Sequence, residues 1–314
     1  MAPCRSIGAR SRFRWHPRAA EQGVVARQIA WHAVAVTAAF WASDAFLLAA
    51  QSATVALPRG DAPAAVAARA RRLASPWWAL VPVASIVGAI FAIRATGSTA
   101  DALTWLALVA IPPLAAVALG WAMRGGRPTL ALLAAPLFAL AWADRGGLAG
   151  EAAGVALAAL SCATLGVLLV AVAPHGWLKA GIVLMAAVDA GLVIAQLLQP
   201  ANDVLNAAAP PAGLPQLQRA LFGDAVIGYG DLFIAGVFGA LVAAEARGEP
   251  AAALRAALLT LAIAACFDLL FLVLDVLPAT VPVALALIAR ELRNSRAATV
   301  SKGPEEPIGW KPQH

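Results

Sequence analysis

Leu221-Phe222-Gly223-Asp224-Ala225-Val226-Ile227-Gly228-Tyr229-Gly230-Asp231-Leu232-Phe233-Ile234-Ala235-Gly236-Val237-Phe238-Gly239-Ala240-Leu241-Val242-Ala243-Ala244-Glu245 is apolar nearly throughout, yet it encloses two aspartates, Asp224 and Asp231. A hydrocarbon core about 30 Å thick takes about 20 helical residues, so the run reads as a membrane span. An ionisable group at that depth is expensive and needs a reason. Two glycines flank the only tyrosine of the chain just before Asp231. Glycine costs about 1 kcal/mol in a helix interior, so the pair predicts close backbone approach or local loosening beside the acid. Gly236, Gly239 and Ala243 further along predict close packing against a neighbouring helix.

Similar runs lie on both sides. Of the 314 residues 61% are apolar and only 13% charged, against about a quarter charged in an ordinary soluble domain. The runs cover 29–50, 76–93, 102–123, 128–143, 152–173, 177–199, 221–245, 251–276 and 278–289. Open strands cannot cross lipid and the runs lack the alternation of a barrel. The expected fold is therefore an all-α polytopic integral membrane protein with nine transmembrane helices; the short fourth and ninth runs also allow eight. The run at 29–50 is too long for the core of a cleaved signal peptide and is expected to stay as the first span. Pro112-Pro113 and Pro136 predict kinks in the third and fourth spans. Residues 51–75 suit an interfacial helix, and Trp77 and Trp78 suit the headgroup level.

Four regions follow: a basic tail at 1–28, a helical bundle at 29–176, spans six to nine at 177–290, and a polar tail at 291–314 that is expected to be disordered. Pro200, Pro210, Pro211 and Pro215 exclude a continuous helix between the sixth and seventh spans. That loop is either a linker or a gate over a site. With nine spans, the side of the N-terminus carries 9 Lys plus Arg and the other side 14, which places the C-terminus in the cytoplasm. Six arginines in the N-terminal tail pull the other way. The net charge of +6 suits the bilayer as partner, and no soluble domain is available to bind nucleic acid.

Cys4, Cys162 and Cys266 have no pairing or metal-ligand spacing, and His16, His32, His175 and His314 never form HExxH. Metal chemistry is not expected. The acids remain: Asp44, Asp189, Asp224, Asp231, Asp268 and Asp275. Asp189 precedes the end of its run at 199 by ten residues, and Asp231 follows the start of the next run at 221 by ten. At 1.5 Å per residue on antiparallel helices, both lie about 15 Å below the same face and can meet. Two facing carboxyls in a low dielectric share one proton, so one acts as base while the other polarises a carbonyl. Asp224 would lie on the same helix face as Asp231, about 10 Å nearer the surface, in a watered entrance. Asp268 would line a water path or, in a transporter, an ion path; Asp275 would be solvated, and Asp44 would snorkel or face the bundle.

Gly228-Tyr229-Gly230-Asp231 resembles the motif of the GxGD intramembrane aspartyl proteases, the presenilin and signal peptide peptidase family. In that family the motif carries the second catalytic aspartate on the seventh of nine spans. The resemblance implies Asp189 as the first, and a presenilin-like bundle. A later Pro-Ala-Leu motif of the family lines the approach of substrate; here Pro278 and Ala279 match it and Thr280 departs. Val188 stands where the family usually has tyrosine. The implied reaction is hydrolysis of single-span helical segments or signal-peptide remnants without metal or organic cofactor, in the cell membrane. The backbone at 278–282 is expected to pair with an unwound substrate strand.

Other readings stay open. Prepilin peptidases share GxGD but are expected to have a lysine soon after it, where this chain has Leu232-Phe233-Ile234. A proton- or ion-coupled transporter would use midplane aspartates, although the inverted repeats common in transporters are not seen. The departures at Val188 and Thr280 also permit an inactive scaffold.

Overall fold

In lipid every backbone N–H and C=O must find a partner within the protein, and a helix satisfies them locally. A computed structural model describes residues 38–60, 68, 72–95, 98–195, 204, 208, 210, 213–272, 274 and 277–301. Its α-helices are α1 (Ala38–Ala56), α2 (Val81–Ala95), α3 (Ser98–Val117), α4 (Ala134–Ala143), α5 (Leu148–Val172), α6 (His175–Ile194), α7 (Tyr229–Glu245), α8 (Pro250–Asp268) and α9 (Thr280–Ser301). Between α6 and α7 lies an antiparallel hairpin of β1 (Arg219–Phe222) and β2 (Ala225–Gly228). Four helical segments are long and apolar enough to cross a membrane: Thr99–Ala122, Leu148–Val172, His175–Ile194 and Pro250–Leu272. The chain is thus mostly helical, with four candidate spans among the described residues.

Helix α7 is the axis of the packing. Ile234, Ala235, Val237, Phe238, Leu241 and Val242 are fully enclosed. Its glycines let neighbouring backbones touch, as the sequence predicts. A Cβ on Gly236 would stand 2.4 Å from the carbonyl oxygen of Cys162 on α5, and one on Gly239 would stand 2.2 Å from that of Val55 on α1. Close approach of this kind replaces the hydrophobic effect, which does not drive one helix against another in lipid.

One end of the bundle is tied by charge. Lys179 of α6 reaches Glu245 of α7 at 2.8 Å and Glu291 of α9 at 2.7 Å. Arg290 reaches Glu245 at 2.6 Å and Glu291 at 3.1 Å. A four-membered network of half-buried charges holds better than isolated surface pairs. It also accounts for one difference from expectation. Residues 291–301, expected to belong to a disordered tail, continue α9, because Arg290 and Glu291 anchor the helix where its apolar face ends.

Other expectations also change. The seventh run is not helical from 221; its first part is the hairpin, and α7 begins only at Tyr229. Gly223 and Asp224 form a two-residue turn, with Gly223 at φ +54°. Glycine at the first central position is the usual requirement of a II′ hairpin turn. A side chain there would also strike Ser43 Oγ at 2.3 Å. A 3₁₀ turn over Pro128–Leu133 leads into α4 and leaves Pro136 in the first turn of the helix, where its missing N–H is one the helix would leave unpaired anyway. Pro112 and Pro113 lie inside α3, which closes in a π turn at Ala118–Ala122, and Thr164 Oγ1 donates to the Leu114 carbonyl at 2.8 Å. The tail at 1–28, most of the loop at 200–212, Arg69, Arg71 and Asp275 lie outside the described residues.

Candidate active site

Asp189 and Asp231 come from α6 and α7 and are near enough for their charges to interact. They meet near helix ends, not at mid-helix as the run lengths predict. Helix α6 ends at Ile194, five residues after Asp189, and Asp231 is the third residue of α7. The hairpin and the early end of α6 shorten both helices from the same side, and the pair stays level.

Asp189 is 4% exposed, and Thr280, the first residue of α9, is fully buried. Thr280 Oγ1 donates to Asp189 Oδ2 at 2.7 Å, and the Thr280 backbone N–H also serves this carboxyl. The residue that departs from the Pro-Ala-Leu pattern is therefore the one that holds the first aspartate. Ahead of it, the Ala279 carbonyl accepts a hydrogen bond from Gln51 Nε2 of α1 at 3.0 Å, and the Pro278 carbonyl accepts one from the Val281 N–H at 3.1 Å. With these groups engaged, the 278–282 segment offers no strand edge to a substrate, contrary to expectation. Gln51 thus fixes the turn that presents Thr280 to Asp189.

Asp231 is more open. Its Oδ2 accepts the Gly228 N–H at 3.1 Å, which caps the first turn of α7. A Cβ on Gly228 would stand 2.8 Å from that same oxygen, so glycine is what lets the carboxylate reach the backbone. A Cβ on Gly230 would meet nothing within 4 Å. Among the described residues, nothing beyond its own helix lies beside the second glycine of the motif, which precedes Asp231. Tyr229 turns away toward α5: its hydroxyl lies 2.8 Å from Ser161 Oγ, and its carbonyl accepts from Cys162 Sγ at 3.9 Å. Tyr229 therefore anchors the motif, whereas Gly230 and Asp231 border the open side.

Asp224 is placed differently from the sequence reading, whereas Asp44 faces the bundle, one of the two placements expected of it. Asp224 is exposed in the hairpin turn, with its N–H donating to Ser43 Oγ at 3.3 Å, so it shares no helix face with Asp231. Asp44 of α1 does not stand alone. Its carboxyl lies within interaction range of that of Asp268 at the end of α8. Phe40, one turn before Asp44 on α1, and Phe271, in the 3₁₀ turn over Leu269–Leu272 that follows α8, meet edge to face at 5.7 Å and brace this crossing. Sequence reasoning singled out both acids without pairing them, because nothing in the sequence relates the first helix to the eighth. It passed over Gln51, although a glutamine in an apolar helix is itself a signal of a buried polar contact. No family model, curated protein or solved structure matches the chain.

Proposed function

We propose that the protein is an intramembrane aspartyl protease of the presenilin and signal peptide peptidase kind, built on nine spans and acting in the cell membrane on single-span helical segments. What supports the reading is that Asp231, directly after Gly228-Tyr229-Gly230, lies within charge-interaction range of Asp189. The pair holds one proton between the two carboxyls. The ionised member takes a proton from water as the water oxygen bonds to the scissile carbonyl carbon, and the protonated member donates to the carbonyl oxygen. Transfer of a proton to the amide nitrogen then lets the C–N bond break, giving a carboxyl and an amine. The open space at Gly230 is where the substrate backbone lies.

Substrate must unwind before its carbonyl can be reached. The hairpin ends at Gly228, three residues before Asp231, and an unpaired edge of a two-stranded sheet is a template for an added strand. This reading replaces the pairing expected at 278–282. The test is reconstitution with a single-span reporter and mass analysis of the products. Cleavage inside the span is expected for wild type and for neither Asp189→Asn nor Asp231→Asn; cleavage persisting in either variant would refute the proposal. A leucine run that stabilises the substrate helix at the cleavage site is expected to slow turnover.

One observation favours a second reading. Asp44 and Asp268, two acids within interaction range of one another, are what a proton-coupled transporter would use to carry a proton. Proton flux in proteoliposomes that survives Asp189→Asn but not Asp268→Asn would select it.

A further inference from the structure

A glutamine inside an apolar helix asks for partners on both halves of its amide. Gln51 lies five residues before the end of α1 at Ala56 and has no solvent exposure. Its Nε2 donates to the Ala279 carbonyl at 3.0 Å, while the described residues supply no partner to its shielded Oε1. Only the donor half of the amide is used within the protein. An apolar side chain of the same length would avoid the cost of the other half, so the reason for glutamine here lies in the contact with Ala279.

That contact bears on the aspartate pair. The Ala279 carbonyl and the Thr280 nitrogen belong to one peptide unit, which is planar and rigid. A donor that fixes the carbonyl oxygen therefore fixes the plane from which the Thr280 side chain departs. Thr280 Oγ1 in turn donates to Asp189 Oδ2 at 2.7 Å, and both residues are buried. Two hydrogen bonds and one rigid peptide thus connect α1 to the first aspartate.

The same helix is fastened to the element that carries the second. Val55 is one turn beyond Gln51 on the same face of α1, and its backbone lies so close to Gly239 of α7 that no Cβ fits between them. Asp231 is the third residue of α7, about two turns before Gly239 on one continuous helix. Thr54, also fully buried on α1, differs in kind: its hydroxyl donates back to the Ala50 carbonyl at 2.7 Å, within the helix.

We propose that Gln51 is a positioning residue of the aspartate site: through the peptide of Ala279 and Thr280 it sets where the Thr280 hydroxyl holds Asp189, which makes α1 the common frame of both carboxyls. The inference rests on the aspartyl protease reading for what the carboxyls do, and not for how Asp189 is held. Groups that act together on one water must be placed to about 0.5 Å, and a frame shared by both supplies that.

The test uses the full chain with three substitutions. Gln51→Met keeps the length and removes the donor; Gln51→Glu, as a neutral acid, can still donate to the Ala279 carbonyl; Thr54→Val changes a buried group of α1 that serves no other helix. On a reconstituted single-span reporter, Gln51→Met should lower kcat about tenfold or more with KM unchanged. Gln51→Glu should stay within about threefold of wild type, and Thr54→Val should match it. In a Thr280→Val background Gln51→Met should cost less than it does alone, because it acts through that residue. Thermal unfolding of Gln51→Met should stay near wild type, since the donor lost and the unpartnered Oε1 removed offset one another. Gln51→Asn, too short by one methylene for the 3.0 Å contact, takes its place if the methionine variant does not fold.

A second readout needs no cleavage. A hydrophobic carbodiimide modifies protonated carboxyls, and loss of a donor to the ionised form favours that state. Peptide mass analysis should show Asp189 modified about threefold faster or more in Gln51→Met and at the wild-type rate in Thr54→Val. A wild type that cuts no reporter while Asp189 reactivity rises in this way would remove the protease reading and support the positioning role. Unchanged reactivity of Asp189 in Gln51→Met, equal losses in Thr54→Val, additive losses with Thr280→Val, or Gln51→Glu as damaged as Gln51→Met would overturn the proposal.

Discussion

Thr280→Val removes one oxygen from the candidate site and leaves its shape. The hydroxyl donates to Asp189 Oδ2 at 2.7 Å from a residue with no solvent exposure, to a carboxyl only 4% exposed. Water cannot replace the lost donor. A hydrogen bond to a charged group contributes about 1.5–3 kcal/mol. Asp189 keeps the Thr280 backbone N–H, so the loss should fall at the lower end, about 1.5 kcal/mol, or roughly tenfold in a rate that depends on this carboxyl. Thr280→Ser keeps the hydroxyl and should stay within about threefold of wild type. Two assays are needed. Thermal unfolding in detergent reads the structural share, and cleavage of a reconstituted single-span reporter reads the chemical share. In an Asp189→Asn background the same valine substitution should cost less by about 1 kcal/mol, the coupling expected of residues in contact. Wild-type stability and turnover in Thr280→Val, or equal damage from serine and valine, would refute the role given to this hydroxyl.

Three further outcomes follow from packing. Gly236→Ala should destabilise by about 1–3 kcal/mol, because its Cβ would lie 2.4 Å from the Cys162 carbonyl oxygen and α5 and α7 would have to part; Gly88→Ala, with nothing within 4 Å, should gain up to about 1 kcal/mol from helix propensity, and equal thermal shifts in the two would count against the close packing. Gly223→Ala should cost about 1–3 kcal/mol, since it combines a left-handed φ of +54° with a clash at Ser43 Oγ, and protease sensitivity of the hairpin would report it. Gly230→Ala should leave unfolding unchanged, with open space around its Cβ, yet reduce reporter cleavage about tenfold or more if substrate backbone occupies that space; full turnover would place the substrate elsewhere.

The helical class was legible because apolar run length alone decides it, and the close contacts of Gly236 and Gly239 were legible because small residues in an apolar helix have few other uses. Counting residues along adjacent antiparallel helices set Asp189 and Asp231 at one level, and they lie within charge-interaction range despite an error in both lengths. The error itself came from Leu221-Phe222-Gly223-Asp224-Ala225-Val226, where apolar content masked a turn. Gly-Asp between two short apolar segments is a hairpin signal, and it was outweighed by the length of the run. Contacts between distant helices were not legible. Gln51 with Ala279, Asp44 with Asp268 and Thr280 with Asp189 join residues whose meeting depends on how helices are arranged around α7, which no local pattern encodes. Thr280 illustrates the difference: as a motif position it is a departure, and in the fold it is the hydrogen-bond partner of the first aspartate.

The central claim is that Asp189 and Asp231 form one catalytic site, and it can be tested without knowing the substrate. A photoactivatable hydroxyl analogue of the tetrahedral intermediate should label the detergent-solubilised wild type, compete with its non-photoactivatable form, and fail to label either Asp189→Asn or Asp231→Asn when both remain folded. A folded wild type that takes no label, or a single-aspartate variant that labels as well as wild type, would contradict the account.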